Sequence, residues 1–289
     1  MTALHPRVKT CRVISLPGRS RLAGFFDQDG SDRFEVFRAV DGYAGEADST
    51  FDYEKFTERT GWHGGPGEAG CAVSHYRLIE EFAHSDDVQD AYLLVMEDDA
   101  RFHEDFVSVV NSIARDPRDL GIVVLGGPDG RLGSWPLTGY AETLGQVSLW
   151  GKWFRGTSGA VYRCGHIEGA AYSSAAVLYS RDAAQRICNF VERSGGVPWL
   201  ADEFVDIARL AQVDLNVLRP PIIDFVGQSV IDRGRSPFLW NEAGFLNRSW
   251  KERIALRTRA RSLRGIAVAT GRDLLAMRGR PHKPKGGAR

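Results

Sequence analysis

The sequence predicts an α/β domain with a mostly parallel central sheet flanked by helices, and three patterns support this. Residues 91–95 form an unbroken apolar and aromatic run, which is typical of a strand buried on both faces. A second run covers residues 121–125 and stops at a Gly-Gly-Pro breaker. Apolar residues recur at helical spacing over 70–83 and 106–113, one segment before and one after the first of these strands.

Three consecutive carboxylates, Glu97, Asp98 and Asp99, end the run at 91–95. Ligands of open α/β sheets bind just beyond the carboxyl ends of the strands, which is where these acids are expected to lie. Adjacent anions raise one another's pKa values, and a hard divalent cation such as Mg²⁺ or Mn²⁺ removes that repulsion. The alternative is a solvated acidic turn that caps a helix beginning near Glu104.

Two shorter strands are expected ahead of this cluster. The first covers residues 12–16, and a Pro-Gly break separates it from Arg19 and Arg21. Arginines at this position could contact a phosphate group or a nucleobase of a ligand. The common alternative is that they are solvated loop residues. The second strand covers residues 34–37 and leads to Asp41, which forms a turn signal with the glycine after it.

Residues 43–69 are polar and rich in glycine, and they predict a long surface loop. The helix expected after this loop begins at Gly70, which permits close approach of another backbone. Ser74 and His75 then fall in its first turn, where backbone N–H groups favour anions. A structural hydrogen bond is the competing explanation for a lone helical histidine.

The second half of the chain predicts further strands over 170–179 and 215–218, with a helix over 183–191 that Ser180 caps. Asp202 and Glu203 open another helix. Aromatic residues crowd the segment 128–170, where they either stack on sugar rings or pack an irregular region. These residues are Trp135, Tyr140, Trp150, Trp153, Phe154 and Tyr162.

Composition predicts a soluble cytoplasmic protein, because no apolar stretch is long enough for a membrane span and the N-terminus does not resemble a signal peptide. The four cysteines have no C-x-x-C spacing and are interpreted as reduced thiols, not as a disulfide framework or zinc site. The net charge of zero hides a basic tail, since residues 251–289 contain twelve Lys and Arg against two acids.

Several of these segments occur together in one family, and the chain resembles glycosyltransferase family 25, which includes lipopolysaccharide, lipooligosaccharide and collagen galactosyltransferases. The specific part is Gly-Cys-x-x-Ser-His at 70–75, some twenty residues before Glu-Asp-Asp. The first strand departs from the family pattern, because Ser15 stands where the family has Asn and Pro17-Gly18 replaces Asp-Arg. The matching segments are 13–16, 39–42, 67–75, 94–99, 171–172, 180–184, 202–203 and 220–221.

The resemblance implies a GT-A-like nucleotide-sugar transferase fold, a UDP-hexose donor, most simply UDP-galactose, and inversion at the anomeric carbon. Glu-Asp-Asp becomes the family's version of the Asp-x-Asp motif, with Mn²⁺ or Mg²⁺ as cofactor. Asp99 is then the principal metal ligand and Glu97 a second ligand or a ribose contact. The residues assigned to the nucleotide-sugar are Ser15, Leu16, Arg21, Asp41, Ser74, His75, Glu97 and Asp98.

Inversion also requires a base that deprotonates the acceptor hydroxyl. Asp202 is the candidate, followed by Glu203, and the alternative is an ordinary acid in the first turn of a helix. Two other functions remain open: a non-catalytic nucleotide-sugar- or glycan-binding relative, and a metal-dependent phosphohydrolase. The latter needs further His and Asp ligands at recognisable spacing.

The chain is expected to divide into a transferase domain over 1–250 and a basic tail over 251–289. Leucine and alanine residues recur at three-, four- or seven-residue spacing in the tail while arginines occupy its other faces, which predicts a basic helix on an anionic membrane. A solvated tail or a strap on the acidic body is the alternative. Nucleic acid is not expected as a partner, because no aromatic residue is interleaved for base stacking. A glycan or lipid-linked glycan acceptor at the inner membrane face fits this arrangement.

Overall fold

The computed structural model describes residues 3–86, 90–127, 146–168, 171, 173–225 and 270. The chain alternates strands and helices, with short 3₁₀ turns at Ser31–Arg33 and Gly42–Ala44. The helices are α1 Arg21–Phe26, α2 Tyr53–Thr60, α3 Pro66–His84, α4 Phe106–Ala114, α5 Arg181–Ser194 and α6 Phe204–Ala211. The strands are β1 Val8–Ser15, β2 Glu35–Arg38, β3 Tyr92–Glu97, β4 Ala100–Phe102, β5 Ile122–Val124, β6 Gln146–Val147, β7 Lys152–Arg155, β8 Val161–Glu168, β9 Ala176–Ser180, β10 Leu215–Arg219 and β11 Ile223–Phe225.

A nine-stranded sheet in the order β2-β1-β3-β9-β5-β10-β8-β6, with β7 paired to β8, forms the centre of the molecule. Strand β1 pairs in parallel with both β2 and β3, and β5 pairs in parallel with β10. Strand β9 lies antiparallel between β3 and β5, so these two neighbours still run in the same direction. The predicted α/β class and mostly parallel sheet are confirmed, and within this sheet β9 and β8 run antiparallel to their neighbours.

The sheet separates two apolar cores, which explains the unbroken apolar character of β3. Leu93 and Val95 point into the core beneath α3, α5 and α6, whereas Leu94 and Met96 point into the core beneath α1 and α4. Successive side chains of a strand alternate between faces, so a strand covered on both sides has no polar positions.

Helix α3 begins one turn earlier than expected, and the expectation of a loop over 43–69 is wrong in two places. Helix α2 lies inside this segment, where the Asp52 side chain caps it by accepting from the Lys55 N–H. Pro66 is the first residue of α3, and the Glu68 carboxylate accepts from the Gly65 N–H at 2.8 Å. Proline is favoured at this position because its fixed φ suits the helix and the missing N–H has no helical partner.

The earlier start of α3 moves Ser74 and His75 into its third turn, so the expectation that they occupy the first turn is wrong. Asp202 and Glu203 also differ from expectation, because α6 begins at Phe204 and Glu203 is its N-cap residue. Ser180 caps α5 as predicted, accepting from the Ala183 N–H.

Of the helices in the described ranges, none combines the length and apolar character that a membrane-spanning helix requires. The predicted tail at 251–289 lies outside the described residues apart from Thr270, as do Trp135 and Tyr140. Trp150 and Trp153 are each 55% exposed. Tyr162 is buried and stacks with Phe154, so this aromatic pair packs the fold.

Candidate active site

A cleft opens where the carboxyl ends of β1, β2 and β3 meet. The pairing sets Ser15 beside Arg38 and Ile14 beside Glu97, so residues that follow these strands converge. Helix α3 closes one side of the cleft. The lining includes Ser15, Leu16, Arg19, Arg21, Asp41, Gly42, Tyr43, Gly67, Cys71, Ser74, Glu97, Asp98 and Asp99.

Asp98 is buried and holds the ends of β1 and β3 together. Its Oδ2 accepts a hydrogen bond of 2.7 Å from the Ser15 hydroxyl, and its Oδ1 lies 3.4 Å from Arg21 Nε. The Asp98 N–H donates to the Ile14 carbonyl at 3.2 Å. A charge-assisted bond to a buried carboxylate is stronger than a neutral one, so Asp98 stabilises the shape of the cleft.

Asp99 is the acid of this cluster that can accept a further ligand. Its Oδ2 accepts from Arg21 Nη1 at 3.0 Å, but its buried Oδ1 has no hydrogen-bond partner among the residues that the structure describes. Burial, followed by repulsion from Glu97, raises the pKa of Asp99 to about 7, and Arg21 offsets only part of this effect. A buried oxygen without a partner has a high free energy, and a cation would lower it.

Three polar side chains approach one carboxylate oxygen of Glu97. Its Oε1 accepts from the Ser174 hydroxyl at 2.5 Å and lies 3.8 Å from Cys71 Sγ and 3.4 Å from His75 Nε2. Burial raises the pKa of Glu97, but His75 and Ser174 outweigh it and hold that pKa below its ordinary value. Glu97 is therefore an anion at neutral pH, next to the partly protonated Asp99.

Ser74 and Asp41 organise the wall of the cleft. The Ser74 hydroxyl accepts from the Val40 N–H and donates to the Gly70 carbonyl, so it ties α3 to the end of β2. The Asp41 side chain accepts from the N–H groups of Tyr43 and Ala44 and caps the 3₁₀ turn. Sequence reasoning assigned both residues to the nucleotide-sugar, and both line the cleft.

A close backbone approach fixes the position of this wall. A Cβ atom on Gly70 would lie 2.7 Å from both the Val40 carbonyl oxygen and the Gly42 nitrogen. Real Cβ atoms do not come this close, so only glycine lets α3 approach the turn after β2. The expectation that Gly70 permits a close backbone approach is confirmed.

His75 and Asp202 lie outside the cleft lining. His75 is only 3% exposed and sits behind Glu97. Asp202 lies close enough to Cys71 to act on its thiol, whose pKa is raised first by burial and then by Glu97 and Asp202. Glu203 is engaged elsewhere, because its Oε2 accepts from Arg59 at 2.5 Å and from the Leu200 N–H at 2.8 Å.

Ser174 and Cys71 are site residues that sequence reasoning missed. Ser174 is separated from Glu97 by 77 positions, and no local pattern marks it. Cys71 carried a visible signal, because it lies four residues before His75 and thus on the same helical face.

One comparison with known proteins found a family match. Residues 11–128 match the sequence model of glycosyltransferase family 25, described as an LPS biosynthesis protein. The resemblance to this family is confirmed over that span. The match contains residues 11–15 of β1, all of β2 and α3, and the Glu-Asp-Asp segment, and it supports glycosyltransferase activity. The mixed sheet flanked by helices is consistent with a GT-A-like fold. No curated protein matches the chain.

Proposed function

We propose that this protein is a metal-dependent inverting glycosyltransferase that moves a hexose, most simply galactose, from a UDP-sugar to a hydroxyl of a glycan acceptor. One observation carries the proposal: the Asp99 carboxylate lies in the turn directly after β3, inside a cleft, and presents a buried oxygen without a hydrogen-bond partner in the described part of the chain. The family match over residues 11–128 supports the sugar transfer.

The donor set fits a hard divalent cation, because Asp99 and Glu97 offer carboxylate oxygens at one end of the cleft. Mn²⁺ or Mg²⁺ bound there would neutralise the charge that develops on the diphosphate leaving group. Arg21 now supplies positive charge at this place through its contacts with Asp98 and Asp99. Arg19 lines the same cleft and is available to a phosphate group of the donor.

Asp202 is proposed as the base that removes the proton from the acceptor hydroxyl. Its charge acts on Cys71, which lines the cleft, so the carboxylate lies near the end of the cleft where Glu97 and Cys71 meet. A base must lie within hydrogen-bond reach of the hydroxyl that it deprotonates in the bound state. Glu203 is the weaker choice, since Arg59 already pairs with it.

The proposed acceptor is a glycan or lipid-linked glycan presented at an anionic membrane surface. The basic residues of the tail at 251–289 support this part, since each basic residue close to such a surface contributes about 1 kcal/mol at low salt. The protein would then work at the cytoplasmic face of the membrane as a peripheral enzyme. The phrase "LPS biosynthesis protein" in the description of the family agrees with such an acceptor.

The proposal is tested by titrating UDP into the protein with and without Mn²⁺ by calorimetry, followed by a panel of UDP-sugars with released UDP as the readout. Asp99→Ala is expected to abolish Mn²⁺-dependent UDP binding and transfer while the protein stays folded. Asp182→Ala is the matched control, because this exposed aspartate lies on α5 and pairs with Arg186.

Each alternative outcome has a distinct meaning. Full activity in EDTA, or in Asp99→Ala, would contradict the metal-dependent mechanism. UDP binding without release of UDP from any donor would indicate a non-catalytic binding protein. Inorganic phosphate released without transfer of a sugar would indicate a phosphohydrolase.

A further inference from the structure

Three chemically different side chains meet where the cleft borders α3. Cys71 and His75 lie four residues apart on one face of α3, and Glu97 reaches them from the end of β3. One ligand atom from each, the thiol sulfur, an imidazole nitrogen and a carboxylate oxygen, lies within 4.8 Å of the other two. This group differs from the acidic cluster at Asp99, because two of its three donors are softer than oxygen.

The spacing of these atoms suits a tetrahedral ion. Zinc binds sulfur, imidazole nitrogen and carboxylate oxygen at roughly 2.0–2.3 Å, which sets neighbouring ligand atoms roughly 3.3–3.6 Å apart at tetrahedral angles. The His75 Nε2 to Glu97 Oε1 distance is 3.4 Å, and the Cys71 Sγ to Glu97 Oε1 distance is 3.8 Å. The third pair, the Cys71 sulfur and the His75 nitrogen, lies within 4.8 Å.

The histidine supplies an independent observation. His75 is 3% exposed, its Nδ1 has no hydrogen-bond partner among the residues described, and its Nε2 makes only the 3.4 Å contact with Glu97 Oε1, which does not meet hydrogen-bond geometry. Buried polar groups in native proteins are nearly always satisfied, and leaving one unpaired costs about 1–3 kcal/mol. The contact between Nε2 and Glu97 does not form a hydrogen bond, and a metal ion bound to Nε2 would give this nitrogen a partner.

The surroundings resemble those of other metal centres in two respects. Ser174 donates to Glu97 Oε1 at 2.5 Å, and such outer hydrogen bonds orient metal ligands in proteins. Cys71 lines the donor cleft, so an ion has a path from solvent and the fourth coordination position can face the cleft. Three protein ligands with one open position are typical of zinc sites that also bind water or substrate.

We propose that Cys71, His75 and Glu97 form a second cation site, selective for a thiophilic ion such as Zn²⁺ over Mn²⁺ or Mg²⁺. The selectivity follows from the donors, because thiolate and imidazole suit Zn²⁺ whereas all-oxygen sites suit the hard cations. Cys71 would bind as the thiolate, with its proton passing to solvent. The inference stands on the geometry and does not depend on the proposed function, although the two sites share Glu97.

The test uses Co²⁺ as a spectroscopic substitute for Zn²⁺ on the full chain, previously freed of metal with a chelator. The expected result is a thiolate-to-cobalt charge-transfer band that Zn²⁺ abolishes in a one-to-one titration. Cys71→Ser and His75→Gln should each weaken Zn²⁺ binding by calorimetry at least about tenfold, since even the loss of an outer partner has effects of that size. Cys188→Ser, at a buried thiol on α5, should leave the band and the affinity unchanged.

The Co²⁺ measurement on the unmutated protein can by itself overturn the proposal, so the test does not depend on whether a variant folds. Absence of a thiolate band with Co²⁺, or Zn²⁺ affinity that is equal in Cys71→Ser, would refute it. Asp99→Asn separates the two sites: it should lose Mn²⁺-dependent UDP binding yet keep the cobalt band. Loss of both signals in this variant would mean that one shared cation site exists, which would also overturn the inference.

Discussion

The Asp99 carboxylate is expected to destabilise the metal-free protein, so its neutralisation should raise stability while it abolishes function. Burial and Glu97 raise the pKa of Asp99 from its ordinary 3.8 to about 7, and Arg21 does not compensate fully. Asp99→Asn keeps the shape of the side chain and removes the charge. We expect this variant to unfold less readily than the natural sequence in EDTA at about pH 8.

The size of the effect follows from the linkage between proton binding and folding. Between pH 3.8 and about 7 the folded protein retains the Asp99 proton that the unfolded chain has released, so the free energy of unfolding falls as the pH rises. This interval of about 3 pH units, at ~1.36 kcal/mol each, sets an upper limit of about 4 kcal/mol. Water in the cleft screens part of the repulsion, and the expected gain is roughly 2–4 kcal/mol above the folded-state pKa.

Urea unfolding in EDTA at several pH values measures this gain, and the difference between the two proteins should shrink toward zero as the pH falls to about 4. Asp98→Asn is the matched control and should lower stability, because the Asp98 charge is paired with Arg21 and accepts from Ser15. Mn²⁺ should stabilise the natural sequence but not Asp99→Asn. An Asp99→Asn variant no more stable than the natural sequence at about pH 8 would refute the reasoning.

Four further outcomes can be measured. Ser15→Ala should lower the free energy of unfolding by about 1.5–3 kcal/mol, because buried Asp98 loses a hydrogen bond to its charge. Gly70→Ala should cost about 1–3 kcal/mol and weaken UDP binding by calorimetry, since its Cβ would meet the turn after β2. Asp202→Asn should lower kcat by about 10²–10⁴-fold with UDP affinity unchanged; lost donor binding would instead mark a ligand. Truncation after Trp250 should preserve transfer to a soluble acceptor and abolish sedimentation with anionic liposomes at low salt, and equal sedimentation would contradict the membrane contact.

The parts of the fold that sequence reasoning predicted correctly are those with local causes. The apolar runs at β3 and β5 reflect burial on both faces of the sheet, which leaves no polar position in the strand. Ser180 was recognisable as a cap because its hydroxyl bonds a backbone group three residues away. The acids were expected at a ligand site because they follow a buried strand directly, and they do line the cleft.

The parts that could not be predicted depend on pairing between distant segments. The antiparallel direction of β9 depends on the end of the sheet at which the chain enters, and its own sequence does not encode this. Ser174 reaches Glu97 only because β9 inserts next to β3. The start of α3 was misplaced for a different reason: the glycine-rich segment 43–69 ends in Gly64-Gly65-Pro66-Gly67, which is typical of a loop, whereas Pro66 is the first residue of the helix.

The altered first strand still brings an arginine to the acidic cluster. The family's Asp-Arg is replaced by Pro17-Gly18, which displaces the arginine along the chain. Gly18 adopts a left-handed φ of 76°, which glycine tolerates, and the chain then enters α1 at Arg21. From there the Arg21 guanidinium returns to Asp98 and Asp99 at 3.4 and 3.0 Å. The turn at Gly18 and the start of α1 therefore place the Arg21 charge at the acids, although the chain departs from the family pattern at this point.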